Sequence, residues 1–315
     1  MIYNKLTNSN VIVGYISAIV AAILFGSVST IAKPMLSTVD PIILSSIIYL
    51  IAGFSFTPIA SKTRSKITRR YYYLIFASAV IGATLAPVMF FLGLKLSTAT
   101  DTALLANGET VFSILFALLI FKERLKPIGY VAVTLILFGV FLVTTNLDLD
   151  NTIFRLNIGN VFVLASTILW GFDNNICRII TRQLDVSKLI QLKALIGGSF
   201  LLATIIILDI PFNVQSKQVI PIVVLGIFGF GISLYLYLHS MKRIGVVKAS
   251  SLLSLSAVFG PLFAILFLHE LLSIHQLIAI MIMMYGVHLM YSHEQKDEIM
   301  PNETSESKNN KKYMD

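Results

Sequence analysis

The chain has 315 residues, of which 56% are apolar and only 13% charged, with a mean hydropathy of +0.84. Soluble domains carry about 25% charged residues, so an ordinary water-soluble fold is excluded. The single cysteine, Cys177, excludes a disulfide framework or a cysteine metal cluster. The net charge of +8 lies in short links between apolar runs and forms no face for nucleic acid.

Ten apolar spans are predicted in chain order, at roughly 11–32, 40–60, 71–94, 100–121, 127–145, 157–177, 187–209, 218–241, 249–268 and 273–291. The first is too long for a signal-peptide core and lacks a clear cleavage site, so it is kept as a membrane helix. The links are short: Lys33-Pro34, SKTRSKITRR at 61–70, Lys126-Pro127 and NLDLDN at 146–151. None leaves room for a soluble domain. Gly226, Gly229 and Gly231 in the eighth span permit close helix approach. The charged, apolar-poor tail at 293–315 is predicted to be disordered and cytoplasmic.

A repeat organises these spans. Residues 103–142 align with 250–289 at an offset of 147, and extension back to Phe90 and Tyr237 gives fourteen identities in 54 positions. Shared leucines mean little in apolar sequence. Lys95/Lys242, Glu123/Glu270 and Gly139/Gly286 are harder to dismiss, with Phe112/Phe259, Phe116/Phe263 and Ala117/Ala264 beside them. The predicted domains are 1–146 and 147–292, each of five spans. Five is an odd number, so the halves cross the membrane in opposite directions, as inverted repeats of secondary transporters do. With the N-terminus in the cytoplasm, cytoplasmic segments hold 19 Lys and Arg against 4 in the outer links. The positive-inside rule therefore predicts both termini in the cytoplasm. Tyr71, Tyr72 and Tyr73 follow Arg69-Arg70 as an interfacial anchor.

The segment LANGETVFSILFALLIFKERL at 105–125 resembles the signature of EamA-type permeases in the drug/metabolite transporter superfamily, and LSAVFGPLFAILFLHELL at 255–272 resembles its second copy. Phe25-Gly26-Ser27 through Lys33 is similar to that family's first-helix pattern, and Trp170-Gly171 through Arg178 to its counterpart. The resemblance covers about 11–292 and implies transport of small metabolites. It has departures. Thr110 and Ala257 stand where the motif has proline, and Pro261 is displaced by four positions. A straighter fourth span and a bend at another level of the ninth are therefore expected. Lys122 and His269 replace the glycine before the motif glutamate.

An ionisable residue at the bilayer centre costs about 2.5–3.5 kcal/mol on insertion scales, so each one needs a reason. Glu109 lies about nine residues into its span, roughly 13 Å deep at 1.5 Å per residue. It is a candidate proton carrier, or a neutral acid that ties helices together. Asp101, eight positions earlier and about 80° round a regular helix, faces the same cavity or caps the span's N-terminus. Asn107 points about 160° from Glu109 and is expected to bond a neighbouring helix. In Trp170-Gly171-Phe172-Asp173-Asn174-Asn175, successive turns of 100° keep the whole run from facing one cavity. Asp173, Asn174 and Trp170 are candidate ligands for an amine, a sugar or an amino acid; the rival reading is an interfacial cluster paired with Arg178. Gln191, Lys193, Tyr235, Tyr237, His239, Ser250, Ser251, Ser254 and Ser256 supply further polar lining. Ser256 is the repeat counterpart of Glu109, so the acid exists in one half only. Glu123 and Glu270 sit at helix ends on opposite faces and are expected to fix their own short turns.

The sequence thus predicts an all-α integral membrane protein of ten transmembrane helices arranged as two inverted five-helix repeats. It reads as a plasma-membrane permease for a small polar metabolite such as an amino acid or amine, working by alternating access with a candidate proton coupling. Candidate binding residues are Glu109, Asp173, Asn174, Trp170, Asp101, Asn107, Tyr237 and Ser256. The expected partners are a small-molecule metabolite and the lipid bilayer, without nucleic acid, and a homodimer stays open. No cofactor, metal or catalytic residue is expected. No Walker motif occurs, and the five histidines form no metal-ligand spacing. The alternatives are a passive channel and an intramembrane enzyme.

Overall fold

The computed structural model of the chain describes residues 2–63, 68–121, 127–145 and 157–299. Among these the regular structure is helical, without a strand. Helix α1 (Ile2–Ala32) runs into a short 3₁₀ turn, Lys33–Ser37, and is followed by α2 (Pro41–Ala60). Helices α3 (Arg69–Val80) and α4 (Ala86–Leu96) are joined by π-helical residues Ile81–Leu85. Then come α5 (Ala99–Leu105), α6 (Gly108–Phe121) and α7 (Pro127–Thr145). The second part holds α8 (Ile158–Ile180), α9 (Val186–Ile207), α10 (Ser216–Val224), the π-helical Leu225–Ile232 and α11 (Ser233–Ile244). It ends with α12 (Val246–Leu253), α13 (Ser256–Leu268) and α14 (Ile274–Ile299). The last helix thus continues beyond His293, where a disordered tail is expected to begin.

Local chemistry sets the boundaries. The Asp40 carboxylate accepts from Ile42 N at 2.8 Å with Pro41 at the first helical position. Asn157 and Asp185 cap α8 and α9 the same way, accepting from Gly159 N at 2.8 Å and Ser187 N at 2.9 Å.

Among the described residues seven helices are long and apolar enough to cross a membrane, with shorter apolar helices at Pro127–Val143 and Ile274–Leu289. The ten expected spans are thus met in part. Helix α8 has 23 residues but stands outside the seven. Its buried face carries Asn160, Ser166, Thr167, Asp173, Asn174 and Asn175. A polar face turned inward lowers its hydropathy while keeping those groups off lipid. The bundle's outer surface is the reverse: Leu271 is 93% exposed and Ile207 81%. Phe54, Phe267 and Ile220 are likewise exposed. Such a surface suits hydrocarbon, not water.

The repeat is visible in the backbone. Residues 81–85 moved by 147 become 228–232, and both segments are π-helical. The fourth and ninth spans both break. Helix α5 ends at Leu105, and the next amides bond three residues back: Asn107 N to Leu104 O at 3.2 Å, Glu109 N to Ala106 O at 3.1 Å and Thr110 N to Asn107 O at 3.1 Å. Between α12 and α13, Leu255 N reaches Leu252 O at 3.1 Å and Ala257 N reaches Ser254 O at 3.0 Å. Asn107 and Ser254, 147 apart, stand at the two breaks. The straighter fourth span expected from Thr110 is corrected. The break needs no proline, because the Asn107 amide donates to Ala103 O and Leu104 O, both at 3.1 Å. In the ninth span Pro261 sits inside α13, and the interruption lies at Ser254 and Leu255 instead.

The halves interlock. Helix α1 packs on α11 and α13 of the second half, while α8 packs on α4 and α6 of the first. Helices α7 and α14 pack through the repeated glycines. A Cβ on Gly139 would lie 2.5 Å from Met283 Cγ, and one on Gly286 would lie 2.9 Å from Ala132 O. Only glycine permits this approach from both sides.

Candidate functional site

Between the two halves, a cavity of about 40 Å³ is lined by α1, α2, α6, α8, α9, α11, α12 and the second π-helical segment. Its walls are Phe25, Tyr49, Glu109, Trp170, Asp173, Asn174, Lys193, Gly229, Phe230, Ser233, Leu234, Tyr237 and Leu253. A buried water needs about 10–15 Å³ by the same measure, so there is room for a few waters. Phe25, Phe90 and Phe230 surround the Trp170 ring at centroid distances of 6.0, 5.2 and 6.3 Å.

Irregular backbone shapes the site. The π-helical turn releases the Gly82 carbonyl, which accepts from Tyr49 Oη and Trp170 Nε1, both at 3.0 Å. Gly82 is obligatory, since a Cβ there would stand 2.1 Å from Asp173 Oδ2. Gly229 and Phe230 bring the matching wide turn of the second half to the opposite wall. The broken helix contributes Glu109 in the first turn of α6, where the helix dipole favours negative charge.

The two acids have different surroundings. Asp173, 1% exposed, forms an ion pair with Lys193, 2% exposed, and also accepts from Ser78 Oγ. Cys177 Sγ lies 3.7 Å from Asp173 Oδ1. Glu109 accepts from Asn174 Nδ2 at 2.7 Å, and that amide also donates to Ser113 Oγ at 3.0 Å. The cavity therefore holds two carboxyl groups and one ammonium, and the ammonium is engaged by Asp173. Glu109 is the acid with a neutral partner.

Of the eight candidates, the structure gathers Glu109, Trp170, Asp173, Asn174 and Tyr237 around this cavity. Tyr237 Oη shares a hydrogen bond with Ser250 Oγ at 2.7 Å. Asp101 is elsewhere. Its carboxylate accepts from Gln276 Nε2 at 2.7 Å and from Asn160 Nδ2 at 3.5 Å. The angular count from Glu109 back to Asp101 fails because the helix breaks between them. The same break overturns the expectation that Asn107 bonds a neighbouring helix, since its amide folds onto its own backbone. Ser256 lines a separate small pocket beside Phe25, Ser29 and Ala106. The rival pairing with Arg178 is also corrected: that guanidinium stacks 4.4 Å over the Phe121 ring.

Sequence reasoning names Lys193 only as general lining and misses its pairing with Asp173; a cation inside an apolar run is the sign that points to it. Tyr49, Phe230 and Ser233 carry no comparable mark. Gln191 donates to Thr57 Oγ1 at 3.1 Å, and Tyr235 stacks on His239 at 5.6 Å, both away from the cavity. Ser254 Oγ donates to Thr110 Oγ1 at 2.8 Å. Among the described residues no His, Cys, Asp and Glu gather as metal ligands.

The sequence places Glu270 in its own short turn. Instead it crosses to the other half, accepting from Ala99 N at 2.9 Å, Thr100 N at 2.9 Å and Thr100 Oγ1 at 2.7 Å. Its repeat counterpart Glu123, with Lys122, Arg124 and Lys126, lies outside the described residues.

A lipid-facing helical bundle with duplicated architecture and a buried polar centre defines a multi-pass membrane protein. The EamA-like transporter family model matches residues 12–145 and again 157–292, so the chain belongs to the EamA-like transporter family. An uncharacterized transporter of Methanothermobacter thermautotrophicus is 30% identical over 88% of this chain and 86% of its own length. One from Clostridium kluyveri is 24% identical over 90% and 94%. A WAT1-related protein of Arabidopsis thaliana is 25% identical over 75% and 73%. A solved crystal structure shares the fold, with a TM-score of 0.67 at 18% identity over 90% of this chain and 96% of the other. The family and these relatives make the chain a membrane transporter and not an enzyme.

Proposed function

We propose that this chain is a ten-helix, inverted-repeat secondary transporter that moves a small polar organic solute across the plasma membrane by alternating access. An amino acid or an amine is the favoured cargo class, and both termini lie in the cytoplasm. The carrying observation is the unequal treatment of two buried acids: Asp173 has Lys193 as counter-ion, whereas Glu109 has the neutral Asn174. A low-dielectric site with one carboxylate in excess favours taking up a single positive charge, either a proton or a cargo ammonium. Glu109 would then exchange the two, which couples transport to the proton gradient. The aromatic walls of Phe25, Tyr49, Trp170, Phe230 and Tyr237 suit an ammonium or an apolar side group. A cavity between interlocked repeats supports two related packings that expose it to either side.

The test is reconstitution into liposomes, with a labelled metabolite panel and an imposed pH gradient. Solute movement driven by the gradient is expected, and no movement of any solute in either direction overturns the reading. Glu109→Gln keeps an acceptor for Asn174, so the protein should fold and bind while its transport loses pH dependence. Unchanged coupling in that variant returns Glu109 to a packing role.

A further inference from the structure

A second and larger cavity, of about 630 Å³, lies at the end of the bundle read above as the outer face. Helix α1 and the 3₁₀ turn form its floor, with α10 on one side and α13 on the other. Both side helices pack on α1, but α10 leans also on α2, and α13 on α5 and α14. A groove is left along α1 between them. It does not continue the central cavity, which Phe25 of α1 faces. At 100° per residue, Ser27, Thr30 and Ile31 in the groove lie about 160°, 140° and 120° round α1 from Phe25. The groove therefore occupies the face of α1 turned away from the central cavity. Phe267 in its wall is 69% exposed, and Ile220, next to the lining Pro221, is 75% exposed. It opens on the apolar outer surface of the bundle.

The lining changes character with depth. At the outer end stand the exposed Ser37, Thr38, Gln215 and Lys217. Further in, Ile31, Met35, Pro221, Phe263 and Leu268 make the walls apolar. Ser27, the deepest polar side chain on α1, returns its hydroxyl to Leu24 O at 2.8 Å. From Ser37 to Ser27 the groove descends roughly 15 Å at 1.5 Å per residue, half of a hydrocarbon core about 30 Å thick. That is the depth of one leaflet. The mouth is built: Gln218 Nε2 donates to Thr38 Oγ1 at 2.7 Å, and Gln218 Oε1 accepts from Gln215 N at 2.9 Å. Among the described residues that line the groove, Lys217 is the one charge. It is also one of four Lys and Arg in the outer links, where the positive-inside pattern disfavours them.

We propose that this groove is a phospholipid site: one acyl chain lies along α1 between α10 and α13, and an anionic headgroup rests on Lys217 at the mouth. Apolar walls one leaflet deep suit a chain, and a polar solute would lose its hydration there without gaining partners. A cation at the membrane surface above those walls selects for a negative headgroup. The lipid would complete a wall that α10 and α13 leave open. The site does not depend on the transport reading, and its failure leaves that reading untouched.

The test places a reporter in the groove. Phe263→Trp is reconstituted in phosphatidylcholine vesicles containing rising fractions of phosphatidylglycerol brominated on one acyl chain, and quenching of the new indole is read against Trp170 alone. Quenching should saturate at a low fraction of the brominated lipid. Lys217→Gln should raise the half-saturating fraction about fivefold, as one lysine beside an anionic headgroup demands, and Lys217→Arg should restore it. Brominated phosphatidylcholine should quench without that dependence on Lys217. Quenching that only tracks the bulk fraction, equally in Lys217→Gln, would show unselected solvating lipid and overturn the site. No quenching at any fraction would mean that chains do not enter, as when a second copy of the chain covers the groove, and overturns it too. If Phe263→Trp does not fold, native mass spectrometry of the unaltered protein and of Lys217→Gln decides. One retained phosphatidylglycerol, favoured over phosphatidylcholine and lost in Lys217→Gln, supports the site; equal retention of the two lipids overturns it.

Discussion

The two broken helices, α5–α6 and α12–α13, have one backbone and two chemistries. Both interrupt at positions 147 apart and both turn through three-residue hydrogen bonds. Yet α6 opens with Gly108-Glu109-Thr110 and α13 with Ser256-Ala257-Val258. The first break delivers an acid into the cavity, whereas the second delivers a serine to a separate pocket. The same separation holds elsewhere: Gly139 and Gly286 keep matching packing roles, while Asp173 and Lys193 have no matching pair. Duplication explains the scaffold, and divergence of one half explains the site.

The largest effect that would break this comparison concerns the ion pair. Lys193→Met leaves Asp173 buried without its ammonium, and removing one partner of such a pair costs about 3–5 kcal/mol. Asp173→Asn should cost a similar amount. The double variant should recover most of the loss, because two neutral groups need no counter-charge. Urea unfolding of the three proteins in detergent measures this. Additive losses in the double variant would mean that the two residues act separately and that the cavity is not built around their pairing.

The glycine pair sharpens the symmetric side. Gly139→Ala pushes a methyl against Met283 Cγ, and Gly286→Ala pushes one against the Ala132 carbonyl. Overpacking of this kind costs about 1–3 kcal/mol, against a helix-propensity gain of roughly 1 kcal/mol. Both variants should therefore lower the melting temperature, with Gly286→Ala the worse because a backbone carbonyl cannot rotate aside. A loss at one glycine and a gain at the other would show that the α7–α14 crossing is not symmetric.

Much of this is legible in the residues alone. Apolar runs, the 147-residue offset and the positions of Glu109, Asp173, Asn174 and Trp170 all follow from hydropathy, identity and the cost of charge in lipid. What stayed hidden depended on departures from regular helix. The angular relation of Asp101, Asn107 and Glu109 assumes 100° per residue, and the turn at Ala106 and Asn107 cancels it. The wide turns at Ile81–Leu85 and Leu225–Ile232 have no apolar period of their own, so Gly82 and Phe230 gave no warning of their roles. Glu270 misled for another reason. Proximity in sequence suggests its own turn, whereas its donors are 170 and 171 residues away.

The smallest expected effect probes the break itself. Asn107 satisfies two carbonyls of its own helix end, whereas the Ser254 hydroxyl, 3.3 Å from Ser250 O, can turn its one hydrogen either to that carbonyl or to Thr110 Oγ1. Asn107→Ser copies the second half into the first, so a hydroxyl still serves one carbonyl and only one neutral hydrogen bond is lost. The cost should be about 0.5–1.5 kcal/mol, read as a small drop in melting temperature with Glu109-dependent pH sensitivity intact. Asn107→Leu removes both bonds and lets the chain run on as regular helix, which would rotate Glu109 away from Asn174. That variant should lose pH sensitivity out of proportion to its stability. If it keeps that sensitivity, the turn at Asn107 does not position the acid, and the likeness of the two breaks is inherited shape without a part in the chemistry.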